Sequence, residues 1–217
     1  MDQKQITERL ERCYTGIVHD IMRAMGFKDF TLPPELKPIL PGKPLAGPAF
    51  TIEGRVDRNA DPHETLLAWT GLLSQAHRGH VWVCRTNTDY VALMGELSAQ
   101  ALQLKDIRGC IIDGLVRDVE FLIEQGFQTW CRGYTPRDIV GYWLPKAVDT
   151  EILIGDVWIA PGDFIVSDRD GVIRIPKDRV LEILDKAETA MATESDLRKA
   201  ILAGMDPQQA YLKYGKF

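Results

Sequence analysis

The sequence predicts an α/β fold of parallel strand–helix–strand units, followed by a β-rich stretch and a long C-terminal helix. Three observations predict it. Apolar runs of strand length, such as Val81-Trp82-Val83-Cys84 and Gly109 to Ile112, alternate with segments of helical periodicity. Between residues 147 and 175 the apolar runs become short. They are punctuated by Gly155-Asp156, Pro161-Gly162-Asp163 and Asp168-Arg169-Asp170-Gly171, all turn signals. From about Lys177 to Leu202 the pattern is helical until Gly204 stops it.

Taken in order, Ile6, Leu10, Cys13, Ile17, Ile21 and Met25 recur at helical spacing, so one helix is expected over 6–25, ended by Gly26. Leu32 to Pro44 is proline-rich and can be neither helix nor central strand. An apolar strand follows from Ala49 to Val56. Asp61-Pro62 then caps a helix through about Ala76, with Leu66, Leu67, Trp69 and Leu73 as candidate buried positions. After strand 81–84 come a helix beginning near Glu96, strand 109–112, a short helix Val119 to Gln125, and a strand Gln128 to Cys131. The β-rich stretch should hold strands Val148 to Ile154, Val157 to Ala160, Phe164 to Ser167 and Val172 to Ile175. Pro207 opens a final short helix. The whole, 1–217, is expected as one domain with a helical extension over about 177–217.

Composition excludes several classes. The chain has 217 residues, is 45% hydrophobic and carries a net charge of -5, with no cluster of Lys and Arg that would track phosphates. Nucleic acid is therefore not an expected ligand. No apolar run approaches the ~20 residues that span a bilayer, and the polar start Met1-Asp2-Gln3-Lys4-Gln5 does not read as a signal peptide. A cytoplasmic protein is the expectation. The cysteines Cys13, Cys84, Cys110 and Cys131 lack metal-ligand spacing and read as reduced core thiols. No P-loop, dinucleotide-binding glycine pattern or nucleophile elbow is present.

The chemistry concentrates between Gly95 and Asp118. Glu96 and the pair Arg117-Asp118 are separated by one helix and one strand, a path that returns the chain to the same sheet edge. Two carboxylates and a guanidinium in one crevice suit a hard divalent cation and an anionic, oxygen-rich ligand. Gly95 permits close approach to the backbone, and the first-turn amides of Glu96, Leu97 and Ser98 lack intrahelical acceptors. The same residues also read as a plain helix start, and Arg117-Asp118 as an internal salt bridge with Asp118 capping the next helix. Asp113 reads as a turn residue. His19, His63, His77 and His80 are scattered, the five tryptophans read as core, and Asp168 to Gly171 lacks the spaced ligands of a calcium loop.

The segments ALMGELSAQAL, RGCIIDGLVRDVEFL, CRGYTPRDIVG, GDVWIAPGDFIVSDRDGVIRIP and ESDLRKAILAG resemble the RraA-like family, which includes 4-hydroxy-4-methyl-2-oxoglutarate aldolases and oxaloacetate decarboxylases. The resemblance covers most of the chain in order. It implies a swivelling β/β/α fold, homotrimers or homohexamers with sites between subunits, and a class II pyruvate aldolase using Mg2+ or Mn2+. It implies that Asp118 is the metal's direct protein ligand and that Arg117 contacts the substrate carbonyl oxygen. The amides of Gly95, Glu96, Leu97 and Ser98 would hold the pyruvoyl carboxylate, and Glu96 would orient a water that shuttles protons. Aspartate is common in the aldolases where this chain has Glu96. Glu194 on the C-terminal helix would reach a neighbouring subunit's site, or else face solvent. The substrate implied is a small 2-oxo acid. The family's namesake regulators of RNA-processing enzymes lack the Arg-Asp pair, so a non-enzymatic regulator is the competing expectation.

Overall fold

The computed structural model describes residues 2–215; residue 1 and residues 216–217 of the expected 1–217 domain lie outside them. In chain order the elements are α1 (Gln3–Leu10), α2 (Thr15–Ala24), β1 (Lys37–Pro38), β2 (Leu45–Val56), α3 (Pro62–Gln75), β3 (Val81–Arg85), α4 (Glu96–Leu104) and β4 (Gly109–Asp113). There follow β5 (Leu115–Val116), α5 (Val119–Glu124), β6 (Thr129–Cys131), β7 (Gly133–Tyr134), β8 (Trp143–Val148), β9 (Ile152–Ile154) and β10 (Val157–Ile159). The chain continues through β11 (Phe164–Ser167), β12 (Val172–Ile175), α6 (Val180–Leu202) and α7 (Pro207–Tyr214).

The main sheet runs β1-β6-β4-β3-β2-β11-β12, with β8 also paired to β2. Its centre is parallel: β2 with β3, β3 with β4 and β4 with β6. Helices α3, α4 and α5 are the crossovers between these strands, as parallel neighbours require. Strand β3 shows how the sheet is buried on both faces. Trp82 and Cys84 join Phe50, Trp69, Leu72, Ala99, Leu102 and Leu122 in a core beneath the helices. Val81 and Val83 point the other way, into a core with Ile152, Ile154, Val157 and Ile159 of the β9–β10 hairpin. The layers are therefore hairpin, sheet and helices, a mixed α/β architecture with C-terminal helices. A third core packs α1, α2 and α6 over β11 and β12 through Leu10, Val18, Met22, Val166, Ile173 and Ile183. Each fully buried side chain of this size contributes roughly 1.5–3 kcal/mol.

Several elements differ from expectation. The single helix over 6–25 is two helices, broken at residues 11–14. Tyr14 gives no side-chain cap to α2. Asp168 supplies one from the β11–β12 turn, accepting from the Thr15 amide and hydroxyl at 2.7 Å each. Strand β2 begins at Leu45 rather than Ala49 and contains Pro48. Pro48 is the last rung with β11, and the rungs with β3 start at Ala49, so its missing N–H interrupts none of the parallel ladder. The expected strand Val148–Ile154 is split: β8 ends at Val148 and β9 starts at Ile152, with Asp149 at φ 51° between them. Within the proline-rich connector, Lys37–Pro38 forms an edge rung on β6, which proline tolerates. Leu66 and Leu67 of α3 are 47% and 63% exposed, whereas Trp69 and Leu73 are buried as expected. The C-terminal helix begins at Val180 rather than near Lys177. Among the described residues, no helix is long and apolar enough to cross a membrane.

Candidate active site

Helix α4 does not follow β3 directly. A loop over residues 86–95 intervenes and lays its end beside the segment after β4: Leu93 donates to the Leu115 carbonyl and the Arg117 amide to the Met94 carbonyl, both at 2.9 Å. This pairing brings Gly95 against Arg117 and Asp118. A Cβ built on Gly95 would lie 2.5 Å from Asp118 Oδ2 and 3.1 Å from Arg117 Cγ, so only glycine leaves room for the pair. The Glu96 amide donates to Asp118 Oδ2 at 3.1 Å, and Arg117 Nε lies 3.5 Å from the same oxygen.

Asp118 stands at the N-cap of α5 with φ 56° and ψ 39°, but its side chain makes no capping bond. The expected alternative, a carboxylate spent on capping that helix, is not what is found. The left-handed backbone costs roughly 1 kcal/mol and is a conformation aspartate tolerates. Here it carries the carboxylate back across Gly95 to the start of α4. Glu96, Leu97 and Ser98 form the first turn of α4, where the Ala99 amide is the first to find a helical acceptor, the Gly95 carbonyl. Leu97 and Ser98 thus present helix-start amides at the same place as the pair.

These residues line one cavity of about 730 Å³. Gly95, Glu96, Leu97, Ser98, Arg117 and Asp118, all singled out in the sequence, are among its walls. A smaller recess of about 310 Å³ lies on the other side of Arg117 and Asp118, closed by Tyr134 and Pro136. Burial raises the Tyr134 phenol above its ordinary pKa, with the nearby Cys131 adding to it, so this hydroxyl stays protonated at neutral pH.

Two cavity residues that contact the predicted set through polar groups escaped the sequence reading as site residues. Asp138 lines the cavity and places Oδ2 3.7 Å from Arg117 Nη1. Its one local signal is a second Arg-Asp dipeptide, 137–138, twenty positions after the first. Trp69, expected only as core, donates from Nε1 to Ser98 Oγ at 3.0 Å and forms part of the wall. Conversely, Glu194 is not among the cavity residues. It accepts from the Tyr14 hydroxyl and lies 3.6 Å from Arg198 Nη2. Asp113, expected as a turn residue, instead accepts from Arg132 Nε at 2.6 Å. None of the four histidines lines the cavity. The cysteines are free and buried, and burial pushes Cys13 and Cys131 up to about 11 and Cys110 to about 12, which removes them as nucleophiles.

Among the described residues no group of three or more His, Cys, Asp or Glu side chains is poised around a metal. Magnesium does not need one, because it keeps several waters and takes one or two carboxylates. The donor set here, Asp118 with Glu96 beside it in the cradle opened by Gly95, fits such an ion.

A family model named RraA-like, and described as Aldolase/RraA, matches residues 15–174. A protein of Halalkalibacterium halodurans named "Putative 4-hydroxy-4-methyl-2-oxoglutarate aldolase" is 29% identical over 179 residues, covering 82% of this chain and 81% of that protein. Protein DlpA of Legionella pneumophila is 26% identical over 96% of this chain, which spans only 34% of that relative's length. Among solved structures, Streptomyces coelicolor RraAS2, described as an unusual member of the RNase ES inhibitor RraA protein family, superimposes with a TM-score of 0.80 at 25% identity. That match covers 91% of this chain and 97% of the other.

Proposed function

We propose, from the premise that this chain belongs to the RraA-like family, that it is a divalent-metal-dependent lyase of the pyruvate-aldolase type acting on a small 2-oxo acid. The observation that carries the reading is the convergence of Arg117 and Asp118 across Gly95 onto the first turn of α4, inside a cavity. The reaction is cleavage of a 4-hydroxy-2-oxo acid, the class of 4-hydroxy-4-methyl-2-oxoglutarate, to pyruvate and a second carbonyl product, with decarboxylation of oxaloacetate as an accompanying activity.

Under this reading Asp118 holds Mg2+ or Mn2+. The ion, when bound, supplies Lewis-acid stabilisation of the charge that develops on oxygen. The amides of Leu97 and Ser98, with that of Gly95, orient the substrate carboxylate at a helix start, while the Glu96 amide is spent on Asp118 Oδ2. Arg117 donates to the 2-keto oxygen, and its interaction strengthens as that oxygen becomes an enolate. Glu96 takes up and returns the proton through a water. Carbon–carbon cleavage and loss of carbon dioxide leave the same pyruvate enolate, so one set of residues serves both. The protein acts in the cytoplasm as a homotrimer or homohexamer. The exposed Leu66, Leu67 and Leu97 near the cavity, 47%, 63% and 77% exposed, support an assembly that covers them.

The competing reading is a non-enzymatic regulator that binds an RNA-processing enzyme, as the description of the Streptomyces structure suggests for that protein. It gives no role to the Arg117-Asp118 pair. The test is pyruvate release from a panel of 4-hydroxy-2-oxo acids and oxaloacetate, with Mg2+, with Mn2+ and with chelator. Metal-dependent release from at least one substrate is expected. No turnover on any of them, together with a stable ribonuclease partner, would overturn the lyase.

A further inference from the structure

We infer that Asp138 is a positioning residue for the proposed reaction: it holds the Arg117 guanidinium at the angle from which it meets the 2-keto oxygen, without itself touching substrate or metal. The inference rests on the lyase reading above and on the part that reading gives Arg117. A guanidinium is a rigid planar fork on a flexible stem, so its use as a donor depends on what fixes its rotation. Two carboxylates meet this one on different nitrogens. Asp118 Oδ2 lies 3.5 Å from Nε and Asp138 Oδ2 lies 3.7 Å from Nη1. One contact alone would leave the plane free to swing about it. Two contacts fix the plane and leave the remaining N–H groups for a ligand in the cavity that Arg117 and Asp138 both line.

Asp138 can do this because the backbone fixes its own place. Its Oδ1 accepts from the Val140 amide at 3.1 Å, which sets the side chain and leaves Oδ2 toward Arg117. The loop that carries it is tied to the segments that build the site. Ahead of Asp138, β7 pairs with β5, and the Thr135 amide donates at 3.0 Å to the carbonyl of Val116, the residue before Arg117. Next to Asp138, the Arg137 carbonyl accepts at 2.8 Å from the amide of Ala92, on the loop that ends at Gly95. The Arg137 guanidinium clamps the same loop, 4.2 Å from the centre of the Tyr90 ring. Beyond Asp138, the Gly141 amide donates to Thr65 Oγ1 of α3 at 3.2 Å. All of these contacts lie within one chain, so they stand whatever a neighbouring subunit adds to the cavity. The plain alternative is that Asp138 only closes its own turn through Oδ1.

Asp138→Asn separates the two readings. An asparagine oxygen still closes the turn, but the other end of the amide carries no charge to hold the fork. With Mg2+-loaded protein and the substrate of the panel that turns over fastest, Asp138→Asn is expected to lower kcat by about tenfold, with KM changed by less than about twofold. Mn2+ affinity, read by electron paramagnetic resonance, and the melting temperature are expected to hold. Asp138→Glu, which restores the charge, is expected to recover part of the lost kcat. In an Arg117→Ala background, Asp138→Asn is expected to change kcat by less than about twofold, because Asp138 acts only through Arg117. Unchanged kcat in Asp138→Asn would overturn the inference and leave the lyase standing. So would a tenfold loss that persists in the Arg117→Ala background, or a loss of Mn2+ affinity, since either would place Asp138 on the substrate or in the metal's surroundings. Failure of the unaltered protein to turn over any 2-oxo acid would overturn both the inference and the lyase.

Discussion

Two arginine–aspartate ion pairs in this protein, one between neighbours in sequence and one between residues eleven positions apart, differ in structure. Asp163 is a structural carboxylate. Its side chain is 3% exposed, it lies 2.7 Å from Arg174 Nε, and it also accepts from the amides of Ala160 at 2.9 Å and Lys177 at 3.0 Å. Both oxygens are used, and together they lock the turn before β11 to β12 and to the approach of α6. Asp118 is 37% exposed, its arginine neighbour is 39% exposed and 3.5 Å away, and a single helix-start amide donates to it. A buried ion pair holds together because every lone pair is satisfied. The Asp118 carboxylate keeps acceptor capacity unspent and aims it into a cavity. The difference teaches that saturation marks the structural pair, and that an unsaturated carboxylate held in place by backbone geometry marks the candidate metal ligand.

The largest expected effect is at the unsaturated pair. Asp118→Asn should lower metal-dependent pyruvate release on the order of a thousandfold, since the anionic ligand is worth several kcal/mol. The melting temperature should move by no more than about 2 °C. Arg117→Lys should reduce kcat by roughly a hundredfold or more, with a smaller change in KM, because lysine cannot reproduce the planar fork. Steady-state kinetics beside a thermal melt checks both. At the saturated pair the pattern should invert. Asp163→Asn should cost about 3 kcal/mol and lower the melting temperature by roughly 6–12 °C, with kcat of the folded fraction intact. If both pairs gave the same pattern, the comparison would break.

A smaller effect sharpens it. Gly95→Ala places a Cβ 2.5 Å from Asp118 Oδ2 and should displace that carboxylate, lowering turnover by about tenfold or more with little loss of stability. Smallest is a pH effect that belongs to neither pair. Burial lowers the His80 pKa below 6.5, so the folded state favours the neutral ring. Below that pH the unfolded chain takes up the proton first, and this contribution to stability is lost as pH falls through the lowered folded value. Urea midpoints at pH 7.5 and 5.5 should fall in parallel for the unaltered protein and for Asp118→Asn.

What the sequence made legible was local. Strands Phe164–Ser167 and Val172–Ile175 matched their expected bounds because Gly and Asp punctuate them, and Asp61-Pro62 announced α3 by its own capping chemistry. Gly95 to Ser98, Arg117 and Asp118 could be grouped because one helix and one strand separate them, so their meeting needed only the right-handed crossover. What was missed depends on distant partners. The apolar spacing of Ile6, Leu10, Cys13 and Ile17 serves one helix or two equally well, and the break is made by Asp168, more than 150 residues away. Asp138 enters the cavity because the Ala92 amide donates to the Arg137 carbonyl, a contact no local pattern encodes. Leu66 and Leu67 fit a buried stripe on paper but face outward, because Trp69, Leu72 and Leu73 meet the sheet instead.

Mn2+ binding, followed by electron paramagnetic resonance on chelator-treated protein, tests the central claim most directly, because it reads the carboxylate's role without reference to any substrate. The unaltered protein and Asp163→Asn are expected to bind the ion with the same affinity below the latter's melting temperature, and Asp118→Asn is expected to lose it. Wild-type Mn2+ affinity in Asp118→Asn, accompanied by a melting temperature lowered as far as that of Asp163→Asn, would contradict the account and make Arg117-Asp118 a structural salt bridge.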